Sequence, residues 1–280
     1  MAHVNAEGLI PQMWEADVLR TLQANLVADK ICRKPMTKGK GKGDTVWFPT
    51  LGDPTIRDYT GTITTENIVS GNVGLLLDKD KYYSINIEDM EKFLSNVDIQ
   101  SEQASRGGFM LQEAMDKAVL ALYAEAVAAN VATDATLDSA TVLSAISECA
   151  LKLEENNVKQ GNMWMVVPPW VKQKLILAGV KFQINDGING KGGIEFTKEL
   201  DIDLYVTTNV HRQAATPQHY CLFGSYDAIG MEYVPMQTRI FQNPDAFGTR
   251  VEGHIAFGCK VLKPLEFGYA DLTKAAETAI

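Results

Sequence analysis

The chain has 280 residues, 46% of them hydrophobic and 22% charged, with a formal net charge of -9. That length supports one large core or two smaller ones. The acidic balance speaks against a general nucleic-acid binder, which gains affinity from a basic face. Cys32, Cys149, Cys221 and Cys259 have no CxxC spacing and read as buried thiols in a reducing compartment. Met1 to Gly8 has neither a basic n-region nor an apolar h-region, and no stretch reaches the ~20 apolar residues of a membrane span. A soluble chain made in the cytoplasm is expected.

Residues 1–8 are polar. Pro11 to Ile31 carries an apolar stripe at Met13, Val18, Leu22, Leu26 and Val27, and Pro11 suits a first turn. The segment reads as a helical arm that packs on something else. Lys34 to Asp44, KPMTKGKGKGD, lacks the Ser or Thr that a phosphate loop requires after Gly-Lys. A flexible joint at Gly39, Gly41 and Gly43 is favoured over an anion site.

Two runs of period-two alternation follow. Thr45 to Pro49 places Val46 and Phe48 on one side. Val73 to Ile87 has Val73, Leu75, Leu77, Tyr83, Ile85 and Ile87 at odd positions, interrupted by Lys79 and Lys81. The intervening GDPTIRDYTGTITTENIVSGN is polar and rich in Thr. The pattern predicts a long hairpin whose middle has no core of its own. An isolated two-stranded ribbon is marginal in water, so it needs a partner surface, within the chain or on a neighbour.

Ser101 to Val131 reads as one long helix. Small and apolar residues recur at 104, 108, 111, 115, 118, 122 and 126, which is one helix stripe. Glu113 and Lys117 form a favourably oriented i,i+4 pair, and Asp98 stands where an N-cap belongs. Such a helix would be roughly 45 Å long, a girder as much as a core element. The polar run after Val131, ATDATLDSA, reads as a linker.

Thr141 to Leu153 is an amphipathic helix with Val142, Ile146, Cys149, Ala150 and Leu153 on one face. Met163 to Val167 is a short buried strand ended by Pro168-Pro169. Pro169 can open a helix over Trp170 to Ala178, with Gly179 as its stop. Gly187 to Gly193 is a loop, and Leu204 to Val210 and His219 to Phe223 read as strands. The middle of the chain, about 135–235, therefore predicts a compact α/β unit. Val251 to Val261 alternates as a half-buried strand, preceded by the turn Asn243-Pro244-Asp245 and followed by Pro264.

No catalytic, cofactor or metal constellation emerges. His3, His211, His219 and His254 have no two-ligand spacing, and His219 with Cys221 on one strand lacks further ligands. GSYDAIG at 224–230 is not a nucleophile elbow, and no GxGxxG follows a strand. Asp78 and Asp80 lack the Gly and closing Glu of a calcium loop. Asp201 and Asp203 lie one strand step apart, yet nothing marks them as a catalytic pair. The residues predict neither an enzyme nor a cofactor.

The order of elements is the informative feature: helical arm, long hairpin, long helix, α/β unit, long closing strand. It resembles the major capsid protein of tailed bacteriophages, the Hong Kong 97-type fold, over nearly the whole chain. The family's opening looks like IPQMWEADVLRTLQANLVADKI. Its extended loop looks like GDTVWFPTLGDPTIRDYTG through VGLLLDKDKYYSINIEDMEK, and its spine helix like residues 101–131. Its close looks like TRIFQNPDAFGTRVEGHIAFGCKVLKP, with Phe247-Gly248, Gly253 and Phe257-Gly258.

The resemblance implies an α+β subunit with an N-terminal arm at 1–37 and an extended β-hairpin loop at 38–88. The spine helix and the first part of a peripheral domain would span 89–134. An α/β axial domain would span 135–235, with closing strands of the peripheral domain at 236–280. It further implies a coat protein that assembles as hexamers and pentamers into an icosahedral virion shell around double-stranded DNA, without sequence-specific binding. The expected partners are further copies of the chain, a separate scaffolding protein (or a scaffolding segment already removed), a portal and cement proteins, with no membrane. The acidic balance suits a container through which packed DNA slides. Arg57, Asp58 and Glu66 in the hairpin, and Arg239, Asp245, Arg250 and Glu252 around the closing turn and strand, are expected to include pairs across subunits. Two other readings remain open: an encapsulin-like nanocompartment of the same fold, and an enzyme whose site assembles from distant residues.

Overall fold

The computed structural model describes residues 26–35, 39, 41–52, 54–59, 61, 63, 65–67, 70–88, 99–178, 182–184, 194–196, 202–213, 217–234, 237–243 and 247–275. Asp98, Gly179, residues 187–193, Asp201 and Asp245 lie outside them, as does the expected arm helix up to residue 25. The described end of that helix is one turn, α1 (Ala28–Ile31), with Val27, Ala28 and Ile31 buried.

Strands β1 (Thr45–Leu51) and β2 (Ser70–Leu76) pair antiparallel as a two-stranded ribbon. The run expected as one strand from Val73 to Ile87 is two. After Leu77 and Asp78 the chain enters β3 (Lys79–Glu88), which pairs with the closing strand of its own chain rather than with β1. The hairpin is thus confined to 45–76, and the last ten residues of the expected 38–88 loop lie in the smaller sheet.

Helix α2 (Ile99–Leu120) has 22 residues, about 33 Å of helix. Gly108, Leu111 and Met115 of the expected stripe are buried, Ala118 packs beside them, and Glu113 pairs with Lys117 at 2.6 Å. The helix stops eleven residues before Val131, the end expected for it, tightening into a 3₁₀ turn at Ala121–Glu125. Tertiary partners outcompete alanine's helix propensity here. The Glu125 carboxylate accepts the Val261 N–H at 3.2 Å, and Ala126 turns extended. Buried Asn130 donates to the carbonyls of Pro264, Leu265 and Phe267.

The expected linker is mostly strand β4 (Val131–Leu137), an edge strand of the larger sheet. Then come α3 (Val142–Glu155), β5 (Met163–Val167), α4 (Pro169–Leu177), β6 (Phe182–Ile184), β7 (Ile194–Phe196), β8 (Ile202–Val206), β9 (His211–Arg212), β10 (Gln218–Ser225), β11 (Ile229–Tyr233), β12 (Gln237–Gln242), β13 (Gly248–Val261) and β14 (Phe267–Lys274). The larger sheet runs β4-β14-β10-β5-β8-β7-β6, with β9 beside β10. All five residues of β5 are buried. The apolar face of α3, with Val142, Ile146, Cys149, Ala150 and Leu153 buried, joins the same core.

In the smaller sheet β13 is central. β11 and β12 pair with it in succession and β3 runs along it on the other side. Leu111 and Met115 of α2 pack on Ile255 and Phe257 of β13. The sheets do not follow the expected division at 135–235 and 236–280. β11, expected in the α/β unit, joins the smaller sheet, and β14, expected with the closing strands, joins the larger one. Strand pairing is decided by distant residues, which local alternation does not encode.

Candidate assembly surface

The ribbon has two different halves. At its base Val46, Phe48, Leu75 and Leu77 are buried against the body, while Trp47 and Leu76 on the other side are exposed. Trp47 lies over Gly74, where an added Cβ would sit 3.0 Å from the indole. Beyond the base, Ile56, Tyr59 and Ile63 are 96%, 75% and 79% exposed. Contiguous exposed apolar patches mark interaction surfaces, and these three exposed residues lie in one loop. The loop is nonetheless shaped: one Glu66 oxygen accepts the Thr55 N–H at 2.6 Å, and the other faces Arg57 Nη2 at 3.3 Å.

The three joint glycines differ. Gly43 has φ +83°, the left-handed region that favours glycine. Its N–H donates to the Leu77 carbonyl at 2.8 Å, and the Leu77 N–H to the Asp44 carbonyl at 3.0 Å. Gly39 packs against Leu77, leaving no room for a Cβ, whereas a Cβ at Gly41 meets open space. Lys42 lies 3.6 Å from Asp80 of β3.

The exposed face of the smaller sheet carries polar rungs set by register. Ser84, Glu252 and Arg239 share one; Asn86, Arg250 and Phe241 share the next. Arg250 Nε meets Glu252 Oε1 at 2.7 Å and donates to Ser84 Oγ at 2.8 Å, and the Ser84 hydroxyl donates to Glu252 at 3.1 Å. The Arg250 guanidinium lies 5.9 Å from the Phe241 ring centre. One rung further, His254 pairs with Asp80 and stands opposite exposed Tyr82.

Four of the seven charged residues singled out in the sequence pair within the chain, Arg57 with Glu66 and Arg250 with Glu252. Arg239 stands opposite Glu252, and Asp58 is exposed on the ribbon. What sequence reasoning missed is the apolar content of the loop, Ile56, Tyr59 and Ile63, visible in retrospect as large apolar residues in a Thr-rich polar run.

The chemistry elsewhere is that of a packed interior. Burial pushes the Cys149 thiol up to about 12 and raises Cys32 and Cys221. Asp203 accepts a 2.5 Å hydrogen bond from the Tyr226 hydroxyl, whose own pKa is raised chiefly by burial. His219 faces the edge of Trp170 rather than a ligand set. Among the described residues no group of three or more His, Cys, Asp or Glu is placed to hold a metal. No described helix is long and apolar enough to cross a membrane.

Solved phage structures share this fold over nearly the whole chain. The structure from Mycobacterium phage Che8 aligns with a TM-score of 0.72 at 18% identity, covering 93% of this chain and 96% of that one. The capsid of Ralstonia phage GP4 aligns at 0.71 and 15% identity, with both chains fully covered. The capsid structure of cyanophage P-SCSP1u aligns at 0.68 and 18%, covering 98% of this chain and 95% of that one. No family model matches the sequence, and no curated protein matches it. At these identities the likeness is one of fold.

Proposed function

We propose that this chain is the major capsid protein of a tailed bacteriophage. In this reading it assembles as hexamers and pentamers into an icosahedral shell around double-stranded DNA, and its role is structural rather than catalytic. The observation that carries the reading is the ribbon. On a chain with the fold of phage capsid structures over its full length, the distal half of 45–76 holds Ile56, Tyr59 and Ile63 in solvent. A ribbon of that kind gains stability by laying its apolar residues on a neighbour.

In this reading 45–76 is the extended loop, α2 the spine helix of a peripheral domain with the smaller sheet, and the larger sheet the axial domain. The net charge of -9 keeps packed DNA from adhering to the wall. The implied partners are further copies of the chain, a separate scaffolding protein, a portal and cement proteins, and its place is the virion. The joint at Gly39, Gly41 and Gly43 adjusts the ribbon between quasi-equivalent positions. Arg57, Asp58, Glu66, Arg239, Asp245, Arg250 and Glu252 contribute to register between neighbours.

Electron microscopy of the purified protein tests the reading. Shells of phage-head size with five- and six-fold capsomers are expected. A low-order oligomer would overturn the reading, and a smaller uniform cage would replace it with a nanocompartment.

A further inference from the structure

Asp116 of α2 is 1% exposed, and it joins three parts of the chain. Its Oδ1 accepts the Val27 N–H at 2.9 Å and the Ala28 N–H at 2.8 Å. Its Oδ2 accepts from Asn209 Nδ2 at 2.8 Å. The partners stand 89, 88 and 93 residues away in sequence. Val27 is the N-cap position of α1 and has no side-chain cap of its own, so the carboxylate of another helix takes that role. Asn209 follows β8 and is tied down locally: its N–H donates to Thr207 Oγ1 at 3.2 Å, and the Thr207 N–H to the Val167 carbonyl of β5 at 3.1 Å. The same carboxylate thus touches the segment leading into α1, the long helix and the end of a strand in the larger sheet.

We infer that Asp116 is a latch through which the larger sheet sets how firmly residues 27–28 are held on α2. The chemistry is restrictive. All three described partners are N–H donors, so the site requires an acceptor on both sides. A carboxylate supplies that with the Asn209 amide as it stands; an amide at 116 would keep one oxygen for the Val27 and Ala28 N–H groups and would meet Asn209 only with the Asn209 amide turned over. A buried carboxylate that loses a donor is left with an unsatisfied, desolvated oxygen. If the loop carrying Asn209 moves away from α2, the carboxylate must turn toward other partners, and its grip on the Val27 and Ala28 amides weakens. The two arrangements, both oxygens satisfied or one abandoned, form a two-state element whose balance the sheet biases from one side and the N-terminal segment from the other. This inference stands whether or not the chain builds a shell, since it concerns contacts within one subunit.

Hydrogen exchange with residue-level fragmentation on the 280-residue chain tests it. Asn209→Ala removes a side chain with no described hydrogen bond to residues 26–31. It is expected to speed exchange at the Val27 and Ala28 amides about tenfold, leaving β5, β10 and β14 unchanged. Asp116→Ala is expected to do the same or more, since it removes every acceptor at the site. Combining Asp116→Asn with Asn209→Asp exchanges donor for acceptor across the contact and should bring the two amides back to within about threefold of the original rate. Unchanged exchange at Val27 and Ala28 in Asn209→Ala would overturn the latch. So would an even rise across α2 and both sheets, or a double variant no slower than Asp116→Ala. If Asp116→Ala does not fold, the Asn209→Ala result decides by itself.

Discussion

The ring of Tyr83 lies against the bare backbone of Gly107, so closely that a Cβ at 107 would overlap it. Gly253 of β13 leaves the same clearance on another side of the ring, and the Tyr83 hydroxyl donates to the Ala104 carbonyl at 3.3 Å. Helix α2 and the smaller sheet meet through this aromatic plug between two glycines. Gly107→Ala gains helix propensity worth up to ~1 kcal/mol but overpacks the slot at about 1–3 kcal/mol. The expected net is a fall of a few degrees in thermal midpoint. In a double-mutant cycle, the change should cost nothing once Tyr83→Ala has emptied the slot. Additive losses would show that the ring is not the obstacle.

The three glycines of the joint should separate under alanine substitution. Gly43→Ala forces a side chain into a left-handed backbone, at roughly 1–2 kcal/mol. Gly39→Ala collides with Leu77 and should cost a comparable amount, whereas Gly41→Ala meets open space and should be neutral or slightly stabilising. Thermal unfolding of the three single variants reads the order directly.

Ile56, Tyr59 and Ile63 contribute little to the fold of one subunit, because little of their surface is covered. Replacing all three with serine should move subunit unfolding by less than about 0.5 kcal/mol per site. On the proposed function it should abolish shell formation, scored by sedimentation. Assembly at the original yield would show that the ribbon tip docks on nothing.

Arg250→Glu sets a second carboxylate beside Glu252 in place of an ion pair. Both side chains are about a third exposed, and pairs of this kind contribute ~0–1 kcal/mol, so unfolding should shift by no more than that. A larger effect on assembly than on unfolding is expected if the rung also meets a neighbour. Equal losses would assign Arg250 to the fold alone.

His219 gives the molecule a pH dependence of known sign. Burial lowers its pKa and the Arg212 charge adds to this, while the Pro217 carbonyl works the other way. Its folded value therefore lies below the ordinary 6.5. The stability it contributes is complete above about pH 6.5 and is lost as pH falls from there through the folded pKa. The thermal midpoint of the original chain should decline across that window more steeply than that of His219→Phe.

Much of the fold was legible because burial writes a period into the sequence. The face of α3, the apolar run of β5 and the alternation of β13 are each visible locally. The misreadings share one cause. Residues 121–131 are rich in alanine and continue a helical pattern, yet Glu125 and Asn130 find backbone partners at Val261 and at 264–267 that end the helix. β4 has the polarity of a linker because it is an edge strand, and its pairing with β14 is settled over a hundred residues away. The candidate surface was half legible: the alternation at 45–49 and from Val73 announced a ribbon, but not that Arg57 and Glu66 pair within the chain. Asp116 gave no sign, since one carboxylate between Met115 and Lys117 looks like any solvated helix charge.

The line of the chain through Leu77 decides how the subunit bears load. β3 is held to β13 along ten register pairs, and Leu76 lies against Gly258, the next position on β13. The link between β2 and β3 therefore crosses β13 at Gly258. A pull on the ribbon reaches β3 through Leu77 and Asp78 and meets that ten-pair ladder. On the proposed function, a neighbour that grips the ribbon would be tied through β3 to the central strand of the smaller sheet.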